Sequence, residues 1–449
     1  MSNEIKILSP CGMLGYGFPA ASFLNGLKEE IHGIVVDAGS TDAGPHKLGA
    51  GVSIVSERAL KKDLELILTN GIPRKIPIII GSAGGAGARP HVESTLSIIK
   101  KILSENELSA KIAVIWADFS QEEIIEANRA NKIKPLSLNI PDLEESSIKD
   151  TIRIVAQMGH EPILEALENG SDIIICGRSY DPSPFAAIGI YHKKDPGLAY
   201  HLGKILECGA LCAEPGTTKD SILGVIKDAS FTVQSLNPIR KCTPISVAAH
   251  TFYEKEHPYL LHGPGFSLDL SACTFHDAEN GVVEVSNSRF IPAETTFIKL
   301  EGARKAAFRT FVIAGVRDPI LIENILEIEE RVKGQVYEYY QEIDTEEYQI
   351  NFFNYGINAV LGTKEKEAFY GHEIGVLFEV IAKTQELANS ICATVRSTFL
   401  HFGYEKRKST AGNLAFPFAP SDVEFGVVYE FSIYHLMEID QSPFQIEYV

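Results

Sequence analysis

The chain is poor in the features that would place it in several large classes. Basic residues are in deficit: 41 Lys and Arg stand against 59 Asp and Glu, a formal net charge of -18 over 449 residues. Such a balance excludes a broad nucleic-acid groove and argues against an anionic membrane surface, both of which need clustered positive charge. No apolar run approaches the roughly 20 residues of a membrane span, and there are no repeats, low-complexity tracts or Gly/Ser linkers. Cysteine is sparse and odd in number, at seven. The polar start Ser2-Asn-Glu4 has no apolar leader behind it. Free thiols in a reducing cytoplasm are therefore expected. Hydrophobic residues reach 45% and charged ones 22%, so what remains is an ordinary globular chain, with length for two or three domains at about 150 residues each.

Its first part alternates two patterns. Ile-, Val- and Leu-rich runs at 5–8, 34–37, 76–81, 112–118 and 172–177 are nearly unbroken, as expected of strands covered on both faces. Between them, 56–69, 92–103, 121–130 and 161–168 carry apolar residues three and four apart, the helical period. Strand alternating with helix predicts an α/β fold: a mostly parallel, doubly wound sheet. Segment 228–287 has many short runs, such as 246–249 and 282–285, and reads as β-rich and irregular, wrapping back over the first domain. The last third mixes strand-like runs (296–300, 309–314, 348–357, 375–381) with helical stretches (319–340, 384–402). It predicts an α+β, ferredoxin-like domain with an antiparallel sheet. The expected division is 1–290 and 291–449.

Polar residues gather where strands end, which is where open α/β sheets bind ligands. After the second strand comes Asp37-Ala-Gly-Ser-Thr-Asp-Ala-Gly-Pro-His-Lys47. Asp37, Asp42 and His46 suit general acid–base work, and Ser40 and Thr41 suit substrate binding. A turn in which Asp and Ser merely cap the next helix is the plainer explanation. After the third strand, Gly81-Ser-Ala-Gly-Gly-Ala-Gly-Ala-Arg89 offers Ser82, Gly84, Gly85, Gly87 and Arg89 as a cradle for a phosphate or carboxylate. It matches neither a dinucleotide fingerprint nor a Walker loop, and a Gly-rich hinge explains it as well. After the fifth strand, Cys176-Gly-Arg-Ser-Tyr-Asp181 brings Arg178 to bind an anion and Asp181 to act as base. Cys176 itself reads better as a small buried residue than as a nucleophile. Glu207-Cys-Gly-Ala-Leu-Cys212 is too poor in ligands for a zinc or iron–sulfur site, and Glu214 is the preferred polar residue there. His250 and His262 stand out among 13 histidines because each lies in or beside a polar or Gly/Pro-punctuated segment. The proline-rich loop 410–422 reads as structural.

These motifs, together with Ala213-Glu-Pro-Gly216, Ala249-His-Thr251 and Ala411-Gly-Asn-Leu-Ala-Phe-Pro-Phe418, resemble the AtuA-like proteins of acyclic terpene utilisation, over about 6–400 and beyond. The resemblance implies bacterial breakdown of acyclic terpenes and of other small carboxylates or acyl-CoA compounds. It brings no agreed catalytic residues. Longer relatives carry an additional C-terminal ferredoxin-like module and shorter ones are accompanied by a small separate protein of that kind. This chain looks like the shorter form, so a small ferredoxin-like partner subunit and a homo-oligomer are expected. The reading is an enzyme that hydrates, dehydrates or isomerises a small carboxylate or its CoA thioester, with CoA only as part of the substrate. Alternatives are a nucleotide- or phosphate-using enzyme and a non-catalytic subunit of a metabolic complex. The cofactor is left open, and Asp37, Asp42 and His46 suit a divalent cation.

Overall fold

The computed structural model describes residues 4–253, 257–366, 371–408 and 410–449. The chain forms two compact units, one of Met1–Arg304 with Phe431–Val449, the other of Lys305–Glu430. The expected boundary at 290/291 differs from this division. It misses that the strand Thr296–Val316 runs on through position 304, and that the last residues return to the first unit.

The first unit is built on a ten-stranded sheet. Its centre is five parallel strands in the order Ile5–Ser9, Gly33–Asp37, Ile78–Gly81, Ile173–Cys176, Ile112–Ile115. They correspond to the five apolar runs read from the sequence. Why those runs are unbroken is visible in the packing. Ile79 and Ile174 point into one core cluster, while Ile78, Ile80, Ile173 and Ile175 point into the other. Each fully buried Ile contributes about 1.5–3 kcal/mol of burial, and neither face can accept a polar residue. Helices Glu57–Gly71 and Arg89–Glu105 cover one face through Leu64, Ile67, Val92 and Ile99. Helices Glu161–Glu168, Ser183–Tyr191 and Pro196–Leu206 cover the other through Ile163, Phe185 and Leu202.

The middle segment divides: Leu260–Gly263 and Phe266–Asp269 form a separate three-stranded sheet with Arg289–Pro292, and others of its strands join the main sheet. Strands Ser230–Ser235 and Val282–Ser286 extend the same sheet antiparallel, beyond Ile222–Ile226, which itself pairs with Ile5–Ser9. The run 246–249 is helical, within Pro244–Phe252. Thr243 and Ser246 form a reciprocal cap at its start, and Pro244 takes the first turn, so local capping decides an apolar stretch too short to show a period.

In the second unit the chain order is strand, helix, strand, strand, helix, strand, with the helices Ile325–Tyr339 and Gln385–His401. The sheet order Tyr348–Tyr355, Ile374–Ala382, Thr296–Val316, Asp422–Ile439 is that of a split βαβ arrangement, as in ferredoxin-like domains. Val312, Phe378 and Val380 pack there against Val332, Ile391 and Phe399. Among the described residues no helix is long and apolar enough to cross a membrane.

Candidate functional site

A cavity of about 770 Å³ opens at the carboxyl ends of the parallel strands, and all its lining residues lie in the first unit. The turn after the first strand supplies Gly12 and Met13. Asp37, Gly39, Ser40 and Asp42 come from the turn after the second, and Arg178, Tyr180 and Asp181 from that after Ile173–Cys176. Lys204, Glu207 and Cys208 enter from the end of the helix Pro196–Leu206, Gln157 follows the strand Thr151–Ala156, and Lys299 lies in Thr296–Val316. This is the place where doubly wound sheets bind ligands, because the loops diverge there around a crevice.

Arg178 anchors the floor. It is 1% exposed and fully bonded on two of its nitrogens. Its Nε donates to Glu301 Oε2 at 2.8 Å, and its Nη1 to Asp181 Oδ1 at 2.8 Å, Ser179 O at 2.9 Å and Ser82 Oγ at 3.1 Å. Glu301, with no exposure, also accepts from Gln157 at 3.1 Å and pairs with Lys299 at 3.0 Å. Lys299 in turn donates to Tyr434 OH at 2.6 Å. Burial alone would neutralise Glu301, but Arg178 and Lys299 outweigh it and hold the carboxyl down at about 2. Burial likewise opposes the Arg178 charge, and Glu301 and Asp181 more than offset that.

Asp37 behaves in the opposite way. Its Oδ2 accepts the Gly39 N–H at 3.2 Å, and its buried Oδ1 has no hydrogen-bond partner among the described residues. Burial first, then Asp181 and Glu207, push its proton affinity well above the ordinary carboxylate range, against the pull of Arg178. Beside it, Lys204 Nζ donates to Glu207 Oε1 at 2.7 Å and lies 4.6 Å from the Tyr253 ring centre. Burial works against the Lys204 charge, and Glu207 sustains it. The Cys208 thiol contacts Tyr253 OH at 3.1 Å, and burial and Glu207 raise it to about 12, so it stays protonated.

The structure brings Asp37, Ser40, Asp42, Arg178, Asp181 and His262 to the cavity wall. His262 is exposed, with Nδ1 2.9 Å from Ser267 Oγ. Other candidates stand elsewhere. Thr41 is buried, and His46 lies half-buried in the helix Pro45–Ala50; neither lines the cavity. Arg89 turns outward, with its guanidinium 4.1 Å from the Trp116 ring and 3.8 Å from Glu93. Glu214 accepts from Thr243 Oγ1 at 2.7 Å, away from the cavity. His250 is buried behind Tyr253, stacked at 4.8 Å, and burial and Lys204 lower its ring to about 4.

The glycine-rich loop serves the site from behind rather than as an open cradle. Gly84, Gly85 and Gly87 are buried and outside the cavity lining. Gly87 has φ +63°, and a Cβ there would sit 2.1 Å from the Arg178 backbone nitrogen, so only glycine lets the two strand-end turns close on each other. Ser82 takes the left-handed φ of 44° that brings its hydroxyl onto Arg178 and Ser179. Cys176 is fully buried, and burial raises its thiol. All seven cysteines are free. No group of three or more His, Cys, Asp or Glu side chains among the described residues is placed to hold a metal ion, so Asp37, Asp42 and His46 do not converge on one.

Sequence reasoning missed Lys204, Glu207, Lys299 and Glu301. Lys204 and Glu207 are three apart at the end of a helix, and Lys299 and Glu301 two apart on a strand, spacings that put each pair on one face. Such pairs usually mark solvated faces, which is why they carry no signal alone.

Fold and site together define a doubly wound α/β protein with a polar cavity at its strand ends. The family model described as acyclic terpene utilisation family protein AtuA matches residues 56–406, and the chain belongs to that family. The matched stretch holds Arg178, Asp181, Lys204, Glu207 and Glu301 and begins after the Asp37 turn. Membership implies a role in acyclic terpene utilisation and suggests a catabolic one. No curated protein and no solved structure matches the chain.

Proposed function

We propose that the chain is a catabolic enzyme that moves a proton next to the carbonyl of a small carboxylate or its CoA thioester, in a hydration, elimination or isomerisation. The observation that carries this reading is Asp37, a buried carboxyl of raised proton affinity on the wall of a cavity that also presents Arg178 and Lys204. A carboxylate that holds its proton more tightly than usual is a stronger base near neutrality, and afterwards a usable acid. Ionised Asp37 takes the α-proton. Negative charge then develops on the carbonyl oxygen, where Lys204 and Arg178 stabilise the enolate. In an isomerisation the proton returns at a different carbon. In an elimination the β-hydroxyl takes that same proton from Asp37 and leaves as water, while Asp181 stays paired with Arg178.

Deuterium exchange tests the first step without a known product. An acyl thioester incubated with the enzyme in D2O should gain deuterium at its α-carbon by mass spectrometry, and Asp37→Asn should slow the gain at least about 100-fold. Exchange at the wild-type rate in Asp37→Asn would remove Asp37 from the reaction.

A further inference from the structure

Among the described residues, every cation on the cavity wall is already committed to a carboxylate. Arg178 is bonded to Glu301 and Asp181, Lys299 to Glu301, and Lys204 to Glu207. With Asp37 and Asp42 added, five carboxyl groups of the described residues (Asp37, Asp42, Asp181, Glu207, Glu301) stand at or directly behind the wall against three described cations. An entering anion would therefore be a further negative charge in a place that already has an excess, and it would have to compete for cations that protein carboxylates hold at 2.7 to 3.0 Å. A neutral carbonyl oxygen faces no such competition. It accepts a hydrogen bond from a cation that keeps its counter-ion. The rest of the lining suits the remainder of such a molecule: Met13, Leu136, Leu260 and Leu261 supply apolar surface. About 770 Å³ is far more than a two- or three-carbon acid fills and lies in the range of sites for drug-sized ligands.

We infer that the reacting end of the ligand in this cavity is an uncharged carbonyl, as in a thioester, ester or amide, carried on an apolar chain, and not a free carboxylate. This rests on the proposed reading of the cavity as an acyl site and chooses between the two substrate classes that reading leaves open. It also explains how the site holds an acid, Asp37, beside two other carboxyls: the ligand adds no charge to the cluster.

The test uses matched pairs of probes that differ only in the head group. The 3-methylbutanoyl and 3,7-dimethyloctanoyl N-acetylcysteamine thioesters, which lack the phosphates of CoA, are compared with 3-methylbutanoate and 3,7-dimethyloctanoate by isothermal titration calorimetry of the full chain at pH 7.5. The thioester of at least one pair should bind at least tenfold more tightly than its acid. Asp181→Asn, which removes one counter-charge from Arg178, and separately Glu207→Gln, which removes that of Lys204, should each narrow that ratio severalfold by admitting the acid; either variant suffices if the other does not fold. Acids binding as tightly as thioesters, or a ratio unmoved by both substitutions, would overturn the inference and leave the acyl-site reading standing. Binding of neither probe would overturn both.

Discussion

Glu301 in the first unit and Glu329 in the second are both buried glutamates, 0% and 4% exposed, and their carboxyls move in opposite directions. Glu301 is held near 2 and Glu329 is raised to about 7. Burial pushes both upward, so burial is not what separates them. Glu301 meets the cations Arg178 and Lys299 within 3.0 Å. Glu329 meets Asn354, whose amide donates at 3.1 Å, and feels a lesser pull from Lys333. One neutral donor offsets little of the cost of taking a charge out of water. In the first unit's cavity floor Glu301 sits with its counter-ions, whereas in the second unit Glu329 is buried against a neutral hydrogen-bond partner, Asn354.

The comparison breaks most visibly at Glu301. Replacing it by Leu strips Arg178 and Lys299 of their shared counter-ion, and the chain should lose about 3–5 kcal/mol of stability in urea unfolding. Because the folded carboxyl titrates below its ordinary value of 4.5, Glu301 contributes stability that is present above about pH 4.5 and lost as pH falls toward 2. The wild type should show that acid loss and the variant should not. At Glu329 the sign reverses. The folded carboxyl titrates above 4.5, so ionising it costs stability as pH rises from about 4.5 to about 7. Glu329→Gln should stabilise the chain by on the order of 3 kcal/mol at pH 8 and by little below pH 4.5, measured by unfolding across that range. Asp37 belongs with Glu329 in direction. Asp37→Asn should raise the melting temperature at pH 8, with the gain fading toward pH 4. A destabilised Asp37→Asn protein would show that the carboxylate is matched in the folded state after all.

The two regions also differ in how much the sequence discloses. The parallel strands were legible because five unbroken apolar runs have no other simple explanation, and the helices between them because each buries one side only. The helices Ser183–Tyr191 and Pro196–Leu206 were not, since both are buried on nearly every side, from Ser183 to Gly189 and from Gly197 to Leu206 with Lys204 the exception. Without a polar face the 3.6-residue period vanishes. The strand Asp422–Ile439 was hidden for the opposite reason, being half-buried along most of its length. At the site, Asp37 and Arg178 were readable from their place at strand ends. Arg89 and Glu214 had equally good local signals, and only the third dimension separates them: one helix start faces Trp116 and solvent, and the other carboxyl faces Thr243. Lys204 and Glu207 reach the cavity, and Glu301 stands behind its wall, from positions far along the chain, and their commitment to ion pairs is a property of the folded arrangement alone.

The account turns on a single proton. Carbon-13 NMR of the protein labelled at aspartate carboxyl carbons, titrated from pH 4 to 8 beside Asp37→Asn, reads it directly. One carboxyl resonance should keep its protonated shift at a pH where exposed aspartates are fully ionised, and that resonance should be missing from the variant. If every aspartate resonance has moved to its ionised position by pH 5, Asp37 is an ordinary carboxylate and the proton-transfer site described here is contradicted.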